Sequence, residues 1–464
     1  MPAPNFKPTL SLWDATMIVA GSMIGSGIFI VSADIVRNVG SAGWLVLVWV
    51  ITGLMTTMAA LSYGELSGMF PKAGGQYVYL KEAYHPLLAF LYGWSFFAVI
   101  QTGTIAAVGV AFSKFTAYLI PGFSEDIILL NLGFIRISAA QLLSIASIVL
   151  LTFVNSRGIE VGKRIQNVFT FTKILSLFGL IIFGFVFMKQ GIWNANWQNG
   201  WKLHPFNSTI NYSIVGGLGA IAAAMVGSIF SSDAWNNVTF IAGEIKNPKR
   251  NIGLSLLLGT LVVAAIYTLT NLMYLSVLPL DAIAFAEKDR VGVAASQAIF
   301  GNAGTAIIAV LIMVSTFGCN NGLILAGARV YYTMAKDGLF FKKAGELNRY
   351  SVPQWALWAQ CLLASAWCLS GKYGDLLDMV SFVVVLFYVL TVVGIMVLRK
   401  RAPSIERPYK AFAYPVLPAL YIIAGITFCI LLICYKPNYT WPGLIITLIG
   451  IPIYSVAKLK LNKF

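Results

Sequence analysis

Two short runs of the chain concentrate groups able to hold a small charged molecule. The first is Gly21-Ser22-Met23-Ile24-Gly25-Ser26-Gly27, with three glycines and two serines in seven residues. Each glycine weakens a helix by about 1 kcal/mol relative to alanine. The second is Gly227-Ser228-Ile229-Phe230-Ser231-Ser232-Asp233-Ala234-Trp235-Asn236-Asn237, which sets a carboxylate and two amides inside an apolar stretch. Two readings compete for the first run. Its small residues let helices pack closely, or its helix is broken so that freed N–H groups at a half-helix start receive a carboxylate, aided by the helix dipole. Asp233 either caps the second half of a broken helix or serves function, the default for a carboxylate within a membrane span. Both can hold at once.

Two further residues stand out against apolar surroundings. Lys173 lies in Phe171-Thr172-Lys173-Ile174-Leu175. A helix starting near Lys163 lifts it ~15 Å along the axis, too deep for its ammonium to reach water easily. A buried ammonium needs a partner or loses its proton. Lys173 therefore either bonds the carbonyls of a broken helix or, in addition, occupies the place of a coupling cation and ties binding to gating. Tyr267, in Ile266-Tyr267-Thr268-Leu269-Thr270-Asn271, offers a hydroxyl at similar depth, although such tyrosines are often core. Arg329 reads as an anchor near a helix end, and Glu65 and Glu244 as weaker candidates for proton coupling.

The elements that must position these groups are membrane helices. The 464 residues are 58% apolar and only 11% charged, against about 25% charged in soluble domains. That excludes a soluble globule, a disordered chain and, with five cysteines in all, a disulfide scaffold. A crossing needs about 20 apolar residues. Twelve runs qualify, at 12–35, 41–69, 87–119, 137–155, 164–188, 211–241, 252–279, 303–335, 354–371, 376–398, 412–435 and 441–457. The predicted fold class is an all-α polytopic membrane protein, with residues 1–464 forming one integral membrane domain. Interrupted spans in corresponding halves are the best sequence pointer to a transporter site. Runs one and six would meet in an inverted five-plus-five repeat of 12–188 and 211–398, with two additional helices at 412–457.

Lysine and arginine favour the cytoplasmic side of membranes. With a cytoplasmic N-terminus, twenty-one basic residues from Lys7 to Lys463 fall inside, and nine, including Lys372, fall outside. Both termini are therefore expected in the cytoplasm. Trp193, Trp197 and Trp201 suit an outer interfacial belt. The net charge of +15 forms no basic stripe, so nucleic acid is not expected as a partner. Asn207, Asn237 and Asn438 begin Asn-X-Ser/Thr triplets of the kind chance produces. Cys319, Cys361, Cys368, Cys429 and Cys434 read as packed apolar residues. With only His85 and His204, both in loops, no Ser/His/Asp set or His/Cys metal spacing arises, and no GxxxxGK[ST] phosphate loop occurs. No enzyme activity, cofactor or metal is expected. A membrane-embedded enzyme, or a receptor-like sensor that binds its ligand without moving it, is the alternative class.

Taken together, the motifs resemble the amino acid–polyamine–organocation superfamily. Met23-Ile24-Gly25-Ser26-Gly27-Ile28-Phe29 is similar to its first-helix signature. Pro71-Lys72-Ala73-Gly74-Gly75-Gln76-Tyr77 resembles its loop after helix two. Phe230 to Glu244 with Lys246-Asn247-Pro248-Lys249-Arg250-Asn251 resembles its helix-six segment. Ser315 to Gly322 with Ala328-Arg329 resembles its helix-eight block. Lys173 and Tyr267 match the L-type amino acid transporter branch. The resemblance covers about 20–460 and implies a LeuT-like fold with twelve helices, broken helices one and six, and alternating access. It implies that a substrate carboxylate meets the N–H groups of Gly25, Ser26 and Gly27. The substrate's α-ammonium would meet carbonyls near Met23, Ile24 and Phe230. Phe230 would act as an aromatic gate with Ser231 and Asp233 beside the site. Lys173 would link the unwound first helix to helix eight, with Tyr267 beside the pocket. The expected activity is exchange of neutral L-amino acids in the cell membrane. The alternative is exchange or proton-coupled transport of cationic amino acids or polyamines, with Asp233 as counter-charge. Animal members pair with a heavy subunit through a cysteine after helix three. Pro121 to Arg136 contains none, so no disulfide-linked heavy subunit is expected, and the short termini resemble a stand-alone bacterial member.

Overall fold

The computed structural model describes residues 8–131, 136–206, 214–370 and 373–461. Lys7, Lys372 and Lys463, the Asn207 triplet and the predicted span limits at 211 and 371 lie outside them. α1 (Leu12–Met23) opens on a capping box. The Ser11 hydroxyl accepts from the Asp14 N–H at 3.2 Å, and the Asp14 carboxylate accepts from the Ser11 N–H at 2.9 Å. The helix stops where the glycine-rich run begins. After a bend at 24–26, the chain resumes as α2 (Gly27–Ile30) and α3 (Ser32–Val39). α4 (Ala42–Met69) leads to α5 (Gln76–Ala83). α6 (Pro86–Ser95) runs through a π-helical turn, Phe96–Ile100, into α7 (Gln101–Leu119). α8 (Ala139–Asn155), α9 (Ile159–Val186) and α10 (Gln190–Trp197) complete the first half.

The second half repeats the pattern of an interrupted helix. α11 (Ile214–Ser231) stops at the polar run and α12 (Asn237–Phe240) resumes beyond it. α13 (Pro248–Val277) starts with proline in its first turn, where the missing N–H costs nothing. α14 (Leu280–Ala284) precedes α15 (Val291–Lys336), which kinks at Gly301. α16 (Gln354–Ser370), α17 (Tyr373–Arg401), α18 (Val416–Tyr435) and α19 (Pro437–Leu461) follow. Among the described residues, eight stretches are helical, long and apolar enough to cross a bilayer: Leu12–Ile30, Ala42–Met69, Pro86–Leu119, Asn167–Val186, Pro248–Val277, Gly304–Lys336, Leu376–Arg401 and Val416–Tyr435. Shorter apolar helices lie at Ala139–Asn155, Gly216–Ser231 and Thr440–Val456. The protein is a polytopic helical membrane protein.

Three local features differ from the reading of the sequence. Residues 76–83 form a short helix whose Gln76, Tyr77, Val78, Tyr79 and Leu80 are buried. The loop after α7 holds a small antiparallel hairpin, β1 (Ile128–Asn131) with β2 (Arg136–Ser138), so the fold is not strictly all-α. The two strands satisfy part of the loop's backbone by pairing its groups with each other. The π-turn inside the α6–α7 rod has no signature in a uniformly apolar run. In the Trp-rich segment the ring centroids of Trp193 and Trp197 lie 5.5 Å apart and those of Trp197 and Trp201 6.3 Å apart.

Candidate functional site

The two interruptions meet in the middle of the molecule. A Cβ atom added to Gly27 would stand 1.9 Å from the Ser231 hydroxyl oxygen and 3.1 Å from its Cα. Only glycine permits that approach between α2 and the last turn of α11. Tyr267, fully buried on α13, lies between the two breaks. Its hydroxyl is within hydrogen-bonding reach of the Met23 carbonyl at 2.8 Å and the Ser231 carbonyl at 3.1 Å.

Unwinding after α1 frees carbonyls that a continuous helix would pair. Three neighbouring helices supply donors for them. The ammonium of Lys173, buried on α9, donates to the carbonyl of Gly21 and, at 2.7 Å, to that of Ile24. The Cys319 thiol on α15 donates to the Ser22 carbonyl at 3.1 Å. One turn further on, Tyr274 donates to the Ile28 carbonyl at 3.1 Å and the Ser32 hydroxyl donates to Asn271 at 2.7 Å. Among the described residues, the N–H groups of Gly25 and Gly27 have no backbone acceptor. The first break therefore presents bare donors beside carbonyls that each accept one bond and keep a second lone pair.

The second break is different in material. Ala234 adopts φ 64°, a left-handed conformation that turns the chain between α11 and α12. α12 has no side-chain cap. The Asp233 carboxylate instead accepts from the Tyr388 hydroxyl on α17 at 2.5 Å. Asn236 donates to Gln76 at 3.0 Å, and Gln76 donates to Thr391 at 3.0 Å. Asp233, Asn236, Asn237, Gln76, Gln101 and Tyr388 line a small cavity on this side. The Tyr388 ring, which lines it, packs on Trp235 with centroids 5.1 Å apart, and Trp235 packs on Tyr63 at 4.7 Å. Phe230, buried in the last turn of α11, offers its carbonyl to the Asp233 N–H at 3.2 Å.

A second cavity, of about 660 Å³, opens from the α3 side. Its inner wall is Ile30, Val31, Val226 and Gly227, one helical turn from Ser231, and its mouth carries Arg37 and Asp289, paired at 2.7 Å. Toward the opposite end the groups are closed off. Arg329, expected as an anchor, is 1% exposed and pairs with buried Glu244 at 3.3 Å. The Glu244 carbonyl accepts from the N–H groups of Thr9 and Leu10, at 2.9 Å each. Glu65, also buried, accepts from Arg399 at 2.6 and 3.0 Å and from the Ala411 N–H at 2.7 Å. The two glutamates are thus engaged as structural locks. Cys319, Cys361, Cys368 and Cys429 are buried and Cys434 is exposed. The described residues contain no group of His, Cys, Asp and Glu able to hold a metal ion.

Sequence reasoning missed Cys319, Tyr388, Gln76 and Thr391. The first two stand in apolar runs where a thiol or phenol reads as packing, and Gln76 reads as loop. Only the polarity of the Asp233 run hinted that partners must exist.

Comparison with known proteins gives the arrangement its context. Residues 10–454 match the family model described as amino acid permease. The chain is 30% identical over 445 residues to human (Homo sapiens) b(0,+)-type amino acid transporter 1, covering 94% of this chain and 85% of that protein. It is 29% identical over 450 residues to the Asc-type amino acid transporter 1 of Mus musculus, covering 97% and 81%. It is 30% identical over 452 residues to the large neutral amino acids transporter small subunit 2 of Oryctolagus cuniculus, covering 97% and 80%. An interrupted helix pair inside a helical membrane protein fits that kinship: the chain belongs to the amino acid permease family, within the amino acid–polyamine–organocation superfamily and close to its L-type branch, and is an amino acid transporter and not an enzyme.

Proposed function

We propose that the protein exchanges neutral L-amino acids across the cell membrane by alternating access. The observation that carries the reading is the first break, where the N–H groups of Gly25 and Gly27 have no backbone acceptor while the carbonyls of Gly21 to Ile24 are each engaged by a side chain. A substrate carboxylate binds Gly25, Ser26 and Gly27, assisted by the α2 dipole. Its α-ammonium uses the remaining lone pairs at Met23 and Ile24 and the carbonyl of Phe230. Phe230 and Ser231 form the lid on the α11 side, and Tyr267 holds the two breaks in register.

Lys173 stands where a coupling sodium ion would bind in this reading, because its ammonium already occupies the carbonyls of Gly21 and Ile24. The twelve-crossing layout, with an inverted repeat of 12–188 and 211–398 followed by 412–457 and both termini cytoplasmic, lets one group of helices rock against the rest. The absence of cysteine from 121–136 supports function without a disulfide-linked heavy subunit.

A second reading has one observation in its favour. Asp233 lines a cavity with several polar side chains and is engaged by the Tyr388 hydroxyl, with no cation among its hydrogen-bond partners in the described residues. A lysine, arginine or polyamine substrate could supply that cation. Counterflow in proteoliposomes decides between the two. Trace labelled amino acid is followed into vesicles loaded with alanine, serine, leucine, lysine or putrescine, with and without a proton gradient. Uptake driven by neutral cargo alone, and retained in Asp233→Asn, is the expected result. Uptake driven by lysine or putrescine and lost in Asp233→Asn establishes the cationic reading. No counterflow with folded protein overturns exchange.

A further inference from the structure

Far from both breaks, α16 turns one stripe of large side chains outward. Trp355, Trp358, Leu362 and Ala366 recur at helical spacing on one face. Trp355 and Trp358 are each 37% exposed and Leu362 76%. With Ala359, Leu363 and Phe97 from the π-turn they line an apolar groove of about 580 Å³. From Trp355 to Ala366 the stripe runs ~16 Å along the helix axis.

The groove has different ends. At the Trp355 end, the ring of Phe341 packs 5.4 Å from that of Trp355. The next two residues, Lys342 and Lys343, are exposed. The connection from Lys336 to Tyr350 carries Lys336, Lys342, Lys343 and Arg349 against only Asp337 and Glu346. Asp337 is already engaged by Lys81 at 2.8 Å and by Tyr77 at 2.9 Å. The groove thus begins beside lysines at the polar end of α16 and continues along the body of the helix. Indole rings near a polar end are typical of the membrane–water interface.

We propose that this groove binds one acyl chain of an anionic glycerophospholipid, with the lipid phosphate at Lys342 and Lys343. Charge complementarity selects the occupant. A neutral or zwitterionic lipid fills the apolar part equally well but gains nothing net from two adjacent ammonium groups. Each lysine near an anionic lipid surface is worth about a fivefold preference. The inference rests on the chain's embedding in a membrane and not on its cargo or on exchange.

The test uses the full chain in phosphatidylcholine nanodiscs, whose two leaflets are alike, so orientation does not enter. Small amounts of phosphatidylglycerol or phosphatidylcholine with brominated acyl chains are added, and quenching of tryptophan fluorescence is followed. The signal lost in Trp355→Phe/Trp358→Phe isolates the groove. Brominated phosphatidylglycerol is expected to quench that component at a several-fold lower mole fraction than brominated phosphatidylcholine. Lys342→Gln/Lys343→Gln, two surface changes, is expected to erase the preference while quenching by phosphatidylcholine persists. Equal quenching by the two lipids in the unaltered protein, or a preference that survives the double lysine change, overturns the proposal. Counterflow of amino acids is a separate measurement, so failure here leaves the transport reading intact.

Discussion

At the first interruption the carbonyls of Gly21, Ser22, Met23 and Ile24 accept from Lys173, Cys319 and Tyr267, residues of three other helices. At the second, the backbone repairs itself locally. The Ser232 N–H donates to the Ser228 carbonyl at 2.9 Å, that of Asp233 to Phe230, and that of Asn237 to Ala234 at 3.2 Å. Side chains then add a polar network on top. One break exists only because the surrounding helices supply donors, whereas the other is written into its own turn. The difference teaches where mutation should hurt. Removing a donor at the first break leaves buried carbonyls short of a partner, at about 1–3 kcal/mol per group. Removing a donor at the second takes away only a side-chain bond.

The largest effect is expected from Lys173→Met, which withdraws a charged donor from two carbonyls at once. Hydrogen bonds to charged groups are worth about 1.5–3 kcal/mol each, so counterflow should fall at least tenfold, with folded protein still recovered by size exclusion. Wild-type rates in this variant would break the comparison. Tyr267→Phe should come next. It keeps the ring, including its edge contact with Trp49 at 5.1 Å, and removes a hydroxyl that reaches both breaks. A loss of about 1–3 kcal/mol in thermal stability is expected. Tyr388→Phe removes one bond to a carboxylate, worth about 1.5–3 kcal/mol, yet leaves the backbone of the second break paired, so its effect on counterflow should be smaller than that of Tyr267→Phe. Neutral cargo should keep its rate, and any change should fall on cationic cargo. A Tyr388 effect exceeding that of Tyr267 would reverse the ranking of the two breaks.

The smallest effect is expected well outside both breaks. Exposed Asp126 is held below the usual carboxylate range by the hydrogen bond from Lys288 and by that from Ser124. A depressed carboxyl contributes stability above its unfolded pKa, about 3.9, and loses it as pH falls through the lower folded value. Lys288→Gln should therefore lower Tm slightly at pH 7, and the difference from wild type should vanish in strong acid. A difference that grows on acidification would show that Lys288 acts through some other group.

The sequence revealed the breaks because both violate the composition of an apolar helix. Glycine and serine mark the first and a carboxylate with two amides marks the second. Lys173 and Tyr267 stood out for the same reason. Cys319 and Tyr388 did not, since a thiol or phenol in an apolar run costs little and becomes informative only once a carbonyl or carboxylate is found within reach. Arg329 and Glu244 each read as peripheral, because nothing in the sequence announces that residues 85 positions apart pair in a buried site. The π-turn, the α5 helix and the β1–β2 hairpin arise from packing and backbone pairing that periodicity does not encode.

Tyr267 has one further property, which is arithmetical. Its hydroxyl carries a single proton, yet two carbonyl oxygens lie within its reach. At any instant only one of them can be bonded, and the other is left open to whatever donor is present. In the proposed exchange, a cargo ammonium sharing the Met23 carbonyl would weaken its hold on the proton and favour the bond to Ser231, and departure would reverse this. Under that proposal, Tyr267 would act as a two-position switch linking the two helix breaks. Reorienting a hydroxyl is far faster than the microsecond-to-millisecond motion of helix bundles, so such a switch would settle before any bundle motion.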